Sequence, residues 1–425
     1  MTRTSASQAP RASLLTALLA SAALLAAGLA DWPAGRARSA MQSLRSAEPN
    51  RADREATAGG YYEGLINRGA PEDRATDEVA LRLLGTPDRW VSFHDMGATH
   101  YIPDAFLQFQ LHPDVRRPVL DHEFTTNALG LRDRDGYTVE KPEGTFRIVL
   151  LGSSIDMGWG VDVEDTYENW LEDWLNARAE KIGLDRRFEI LNFAMAAYGP
   201  AQRLERFRTY AAGFDPDLVL YSGTMLDPRL SEIHLCDLIR YRADPTYDFV
   251  RAVLDVARLT DEDTELDPSG QLERRSRLKA KLAPYLWAMV DGSVGTLATE
   301  CRARHLPLAY LVVPRAGLSD VPGTRDPGVS RHVEIATRHG VDLLDLTGAF
   351  DDDDPDALAL APWDDHPNAD GHRLIFYALA EALVADPGLS RLLFGAEGGG
   401  RVLHPGEGPV AAESGRWGRG GGRTR

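Results

Sequence analysis

The sequence predicts a three-layer α/β/α sandwich with a central parallel sheet of about five strands. Two observations predict it. Short apolar runs rich in Leu, Ile and Val recur between residues 146 and 348. They are too continuous for strands with one wet face, and a parallel sheet covered on both faces is where such runs belong. Longer segments with apolar residues at helical spacing alternate with them, as in a chain of βαβ units.

From the N-terminus, Arg3 and Arg11 precede an uncharged stretch from Ala12 to Ala30 that closes on small residues. Residues 1–30 read as a secretory signal cleaved near Gly28-Leu29-Ala30, or as an uncleaved anchor, since the run is nearly long enough to span a bilayer. Both readings predict export: periplasmic, secreted, or tethered to the membrane through residues 12–30. No Cys directly follows the run, which removes the lipoprotein option. Residues 31–60, rich in Arg, Ala and Ser, read as a linker. Residues 61–143 carry aromatics such as Trp90, Phe93 and Tyr101 with many turn formers, and read as a small irregular lead-in packed on the main domain.

The regular part spans 144–394. FRIVLLG (146–152) is a strand buried on both faces, and TYENWLEDWLNARAEKIG (166–183) sets Tyr167, Trp170, Leu171, Trp174 and Leu175 at helical spacing. FEILNFA (188–194) is the second strand, AQRLERFRTYAAG (201–213) the second helix and DLVLYSG (217–223) the third strand. A mainly helical insertion, about 228–300, precedes PLAYLVVPR (307–315) as fourth strand and VDLLDLTG (341–348) as fifth. GHRLIFYALAEALV (371–384) closes with a helix, and LSRLLF (389–394) packs back on the domain. Gly-rich sequence over 395–425 reads as a disordered tail.

Composition narrows the function. Over 425 residues the formal net charge is -17, without the clustered Lys and Arg that neutralise phosphates, so nucleic acid is excluded as a partner. The two cysteines, Cys236 and Cys301, allow one disulfide in an oxidising compartment or two buried thiols. The acidic run Asp351 to Asp354 lacks the spacing of calcium ligands and reads as a solvated loop. His234, Cys236 and Asp237 are neighbours in sequence, but with a helix turn between them a metal site is the weaker reading. Nothing in the sequence sets the oligomeric state.

In a parallel sheet, chemistry belongs at the carboxyl ends of the strands. The first such segment, LLGSSIDMGWGV (150–161), puts Ser153 and Ser154 after a strand, where a helix start would offer amides and its positive dipole end. Taken alone, the serines fit a helix N-cap better than a nucleophile. PWDDHPNADGHRL (362–374) changes that balance, because it joins His366 to Asp364 and Asp365 on one loop, a base with its orienting carboxylate. Asn368 can cap the closing helix.

Four blocks in this order, GSS...GWGV (152–161), NFAMAAYGPAQ (192–202), SGTMLD (222–227) and DDHPNADGH (364–372), resemble the SGNH, or GDSL-type, hydrolases, a superfamily of esterases and lipases. The resemblance covers about 240 residues and extends weakly upstream through 125–148. It implies a flavodoxin-like SGNH hydrolase fold, with Ser154 as nucleophile, His366 as base and Asp364 as the triad carboxylate, Asp365 in reserve. The more widespread form of the last block has its aspartate where this chain has Trp363. His372 falls on a residue expected to pack at the helix start.

Three departures accompany the resemblance. Ser153 replaces the usual Asp before the nucleophile, Ala197 replaces the Gly that offers its amide to the oxyanion, and Leu226 replaces the Asn of an Asn-Asp pair, beside the retained Asp227. Leu cannot donate, and losing one oxyanion donor costs about a hundred- to a thousandfold in rate. The amides of Ser154 and Ala197 remain as donors, with Thr224 as a replacement for the third. Trp159, Tyr198 and Asp227 are the candidate pocket residues; the two aromatics would stack on a sugar ring or belong to the core. The resemblance implies an exported serine esterase that removes an O-acyl group, acetyl first, from a carbohydrate, cell-envelope polymer or small ester, with no metal or cofactor. An O-acyltransferase using the same acyl-enzyme and a degenerate member that binds a glycan or partner protein are the alternatives.

Overall fold

The computed structural model describes residues 93, 96–102, 105–119, 121–268, 270–316, 327–354, 356–361 and 364–395. The expected signal or anchor, the linker and the tail past 395 lie outside them. Two hairpins come first. β1 (Thr99–Ile102) pairs antiparallel with β2 (Gln108–Leu111), and β3 (Arg116–Val119) with β4 (His122–Thr125). The lead-in, expected to be irregular, therefore carries strands; at four residues each they are too short to show a periodicity in sequence.

The main chain of elements then runs β5 (Thr145–Leu151), α1 (Tyr167–Ile182), β6 (Arg187–Asn192), α2 (Pro200–Thr209) and β7 (Leu218–Gly223). α3 (Asp227–Tyr241), α4 (Asp248–Val256), α5 (Arg275–Leu282) and α6 (Leu286–Ala303) fill the long connection to β8 (Leu308–Val312). α7 (Pro327–His339), a helix not expected from the sequence pattern, leads to β9 (Asp342–Asp345). The short antiparallel pair β10 (Ala359–Ala361) and β11 (Asp364–Pro367) precedes α8 (Ala369–Ala385) and α9 (Pro387–Phe394).

The central sheet has the order β6-β5-β7-β8-β9 with every neighbour parallel, the flavodoxin-like order of a doubly wound sheet. Alternation along β5 divides the core. Phe146, Ile148 and Leu150 join Leu171 and Leu175 of α1 and Leu379 and Leu383 of α8. Val149 and Leu151 point the other way, to Leu204 and Phe207 of α2 and Val290, Val294 and Leu297 of α6. At about 1.5–3 kcal/mol for each such side chain, burial on both faces fixes the register. Charge also enters the sheet. Arg147 on β5 and Glu189, its register partner on β6, are both buried and meet at 2.8 Å.

A third apolar cluster brings Phe93, Leu107, Phe109 and Phe124 of the lead-in against Met157, Trp159 and residues 194–196 and 198 of the main domain. Tyr198 donates its hydroxyl to the Phe109 carbonyl, and Gln202 Nε2 donates to the Leu107 carbonyl at 3.0 Å. The lead-in is thus packed on the loops at the carboxyl edge. Cys236 and Cys301 are both buried free thiols, so the disulfide is not formed. Burial pushes each thiol up to about 12. Among the described residues no helix is long and apolar enough to cross a membrane.

Candidate active site

β5 ends at Leu151 and the chain turns at once. Gly152 is required there by space, because a Cβ would lie 2.2 Å from the Asp156 carboxylate. That carboxylate accepts the Ser153 amide at 2.8 Å and the Tyr167 hydroxyl at 2.7 Å. Burial raises its pKa, against the lowering effect of these donors and of Ser222. Residues 154–160 form consecutive turns, with the Ser154 carbonyl accepting the Trp159 amide at 3.0 Å, a 3-10 turn follows over Val163–Asp165, and the first α-helix begins at Tyr167. A regular helix is therefore not what starts at Ser153–Ser154: a hydrogen-bonded turn stands there instead, with the Met157 amide on the Ser153 carbonyl at 2.9 Å. The Asp156 side chain holds the turn that Ser153 was expected to cap.

The loop after β6 clamps this turn. Asn192 donates through Nδ2 to the Asp156 carbonyl at 2.8 Å and to Glu168 at 2.7 Å, while Met195 N–H reaches the Gly152 carbonyl at 3.2 Å. Ala197 comes next at φ +68°, a left-handed conformation that costs a residue with a Cβ about 1–2 kcal/mol. Among the described residues neither the Ser154 nor the Ala197 amide is spent on a hydrogen bond within the protein.

β11 supplies the remaining groups. Side chains two apart on a strand share a face, so Asp364 and His366 point together and Asp365 points away. His366 Nε2 lies 2.6 Å from Ser154 Oγ, and His366 Nδ1 lies 2.5 Å from Asp364 Oδ1. With Nδ1 protonated and donating to Asp364, Nε2 is left to accept from the serine. Asp364 and His366 are each 1% exposed and Ser154 6%. Asp365 instead forms an ion pair with Arg315 just beyond β8. Asn368 accepts the Gly371 amide at 3.1 Å and so caps α8. On that helix His372 is fully buried, stacks on Tyr167 and accepts its amide at 3.3 Å through Nδ1. Burial, then the nearby His366, hold its pKa down to about 3.

The pocket expectations require correction. Trp159 is 2% exposed, and its indole Nε1–H donates to Asp364 Oδ2 at 3.2 Å rather than presenting a face to substrate. Tyr198 is fully buried among lead-in aromatics, its ring 5.2 Å from that of Phe109. Asp227 is fully buried as well, accepting from Arg203 at 2.8 Å; the same guanidinium donates to the Tyr198 and Ser222 carbonyls. It braces two site loops and does not line a pocket. Leu226 is half-buried against the third cluster with Ala197 and Leu360. Its amide donates to Thr224 Oγ1 at 2.9 Å, leaving the Thr224 proton to be given elsewhere.

His234, Cys236 and Asp237 do not converge. His234 donates to the Phe106 carbonyl at 2.9 Å, and burial lowers its pKa to about 4. Among the described residues, the side chains grouped closely enough to hold a metal ion are Asp364, Asp365 and His366. A cleft of about 380 Å³ lined by Phe146, Asp217, Arg304 and His305 lies at the amino ends of the strands, away from all of these groups. Sequence reasoning missed Asp156, Asn192 and Arg203. Asp156 and Asn192 each stand as a polar residue in an otherwise apolar turn or strand end, which demands a buried partner.

The class these features define is a flavodoxin-like, three-layer α/β protein with a serine–histidine–aspartate chain at the carboxyl edge of its sheet. No family model matches the sequence, and no curated protein matches it. Among solved structures the chain is similar to a catalytic mutant of Axe2, an acetylxylan esterase from Geobacillus stearothermophilus, at 15% identity over 56% of this chain and 93% of that one, TM-score 0.35. It is similar to a putative lipolytic protein of the G-D-S-L family from Desulfitobacterium hafniense at 12% identity over 56% and 99%, TM-score 0.32. LAE5, an α/β hydrolase from the metagenome of Lake Arreo, is similar at 20% identity over 56% and 94%, TM-score 0.31.

Proposed function

We propose that this protein is an SGNH-type serine esterase that hydrolyses O-acyl esters, acetyl on a carbohydrate or cell-envelope polymer foremost. The observation that carries the reading is the unbroken chain from Ser154 Oγ to His366 at 2.6 Å and on to Asp364 at 2.5 Å, all three buried. Ser154 attacks the ester carbonyl while His366 Nε2 takes its proton. The unspent amides of Ser154 and Ala197 supply the oxyanion donors. Collapse breaks the bond to the alcohol, which leaves with the proton from His366; water, deprotonated by the same imidazole, then releases the acid and frees Ser154. Asp364 fixes the tautomer throughout and holds the imidazolium. The carbohydrate acceptor rests on the sequence resemblance, and export rests on residues 1–30.

One observation favours a second reading. Leu226 at the place of a side-chain donor suits a member that binds an acylated glycan or a partner without turning it over. The full chain, with Ser154→Ala and His366→Ala beside it, would be assayed on p-nitrophenyl acetate and on acetylated oligosaccharides. Both variants are expected to be folded and inactive. A wild-type rate no higher than theirs sinks the esterase reading, and transfer of acetyl to an added oligosaccharide turns it to an acyltransferase.

A further inference from the structure

We propose that Trp159 is a positioning residue for the Asp364 carboxylate, and that the lead-in segment holds it in that role. The proposal rests on the serine-esterase reading above and deepens it. Asp364 has two oxygens with two tasks. Oδ1 meets His366 Nδ1, and Oδ2 receives the indole N–H at 3.2 Å in a setting where the carboxylate is 1% exposed and the indole 2%. A carboxylate with a donor on its far oxygen is fixed in rotation and less basic. It therefore keeps Oδ1 aimed at the imidazole through both proton transfers.

Trp159 stands five residues after Ser154, and its amide is bonded to the Ser154 carbonyl at 3.0 Å. One turn thus carries the nucleophile and the clamp on the far end of the triad. The indole is in turn held by the lead-in. Phe93 meets it edge-on at 5.8 Å and 86°, and Phe124 lies tilted at 6.4 Å. Arg132 lies 5.0 Å over the Phe124 ring and donates to the Val161 carbonyl at 2.7 Å, tying lead-in and turn together. The lead-in is on this account part of the catalytic apparatus, although it supplies no reacting atom.

The test compares the full chain with Trp159→Phe, which keeps an aromatic ring and removes the N–H. kcat and KM are measured on p-nitrophenyl acetate, and the downfield proton resonance of His366 Nδ1–H and the titration of its ring are followed by NMR, which needs no turnover. Other ionisable groups near His366 are the Arg315–Asp365 pair and, on α8, His372, which burial keeps neutral; neither is altered. Expected are a ten- to hundredfold fall in kcat, KM within twofold, a shifted or broadened Nδ1–H resonance, and a His366 midpoint raised by half a unit or more. Phe124→Leu, which keeps the indole but loosens its wall, is expected to move the same readouts in the same direction, several-fold in kcat, and serves should Trp159→Phe not fold. A folded variant with unchanged kcat, or with a lowered kcat and an unchanged His366 resonance, overturns the proposal. A wild type without esterase activity would defeat the functional reading alone, since the resonance still decides the role of Trp159.

Discussion

Leu226→Asn restores a side-chain donor at the position where the site lacks one. The backbone there is held independently of the side chain: the Leu226 amide donates to Thr224 Oγ1 at 2.9 Å, and its carbonyl accepts the Leu230 amide at 2.8 Å. The side chain is half-buried against the same apolar cluster as Ala197, whose amide is one of the two proposed oxyanion donors. A donor added in a dry site is worth about a hundred- to a thousandfold in rate. Leu226 retains some solvent exposure, so we expect about ten- to a hundredfold in kcat, or about 1.4–2.7 kcal/mol of transition-state stabilisation, with KM nearly unchanged. Asn has a competing use, because α3 starts at Asp227 with no side-chain cap, and a cap is worth about 1 kcal/mol of stability. Initial rates on p-nitrophenyl acetate and thermal melts of the same preparations separate the two. A raised melting temperature with unchanged kcat means that Asn caps the helix and that another group, Thr224 first, already serves the oxyanion; the argument from Leu226 would then be refuted.

Two more outcomes come from buried charge. Glu189→Ala leaves Arg147 charged inside the sheet with only the Val139 and Phe214 carbonyls and no counter-charge, and is expected to cost about 3–5 kcal/mol in urea unfolding, whereas the joint change Arg147→Met with Glu189→Leu costs much less; equal losses would mean that the pair is not what the sheet depends on. Burial raises Glu168 to about 7, so the folded state binds a proton that the unfolded state releases near 4.3, and its contribution is lost as pH rises through 7. Glu168→Gln, which mimics the neutral acid, should match wild-type stability near pH 4 and exceed it at pH 8 by on the order of 3–4 kcal/mol; a difference that does not change with pH would contradict the assignment.

How much of this was legible in the sequence depended on the length of the pattern. The five strands of the central sheet are continuous apolar runs between amphipathic helices, and β5, β6 and β7 begin and end within two residues of the segments FRIVLLG, FEILNFA and DLVLYSG. The hairpins of the lead-in were not legible, because four-residue strands such as His122–Thr125 and Arg116–Val119 mix charged and apolar residues in equal measure. Their cohesion comes from contacts far apart in sequence, such as Tyr198 with Phe109. The same distance hid the role of Trp159: an indole beside a nucleophile turn suggests substrate stacking, and its hydrogen bond to a carboxylate 205 residues away has no local signature.

Asp364 against Asp365 shows what the fold adds to a motif that is plain in the sequence. Read as a polar loop, DDHPN offers two carboxylates to one histidine, and spacing alone does not rank them. β11 removes the ambiguity. Pairing with β10, through Ala361 opposite Asp364 and Ala359 opposite Pro367, extends the segment, and an extended chain alternates its side chains. Asp364 and His366 must then share the face toward Ser154, while Asp365 is directed to Arg315 at the end of β8. A second bond, from the Ala316 amide to the Asp365 carbonyl at 3.2 Å, fastens the same segment to the sheet. The second aspartate thereby acquires a task, since the strand that presents His366 and Asp364 to Ser154 is anchored through the residue between them.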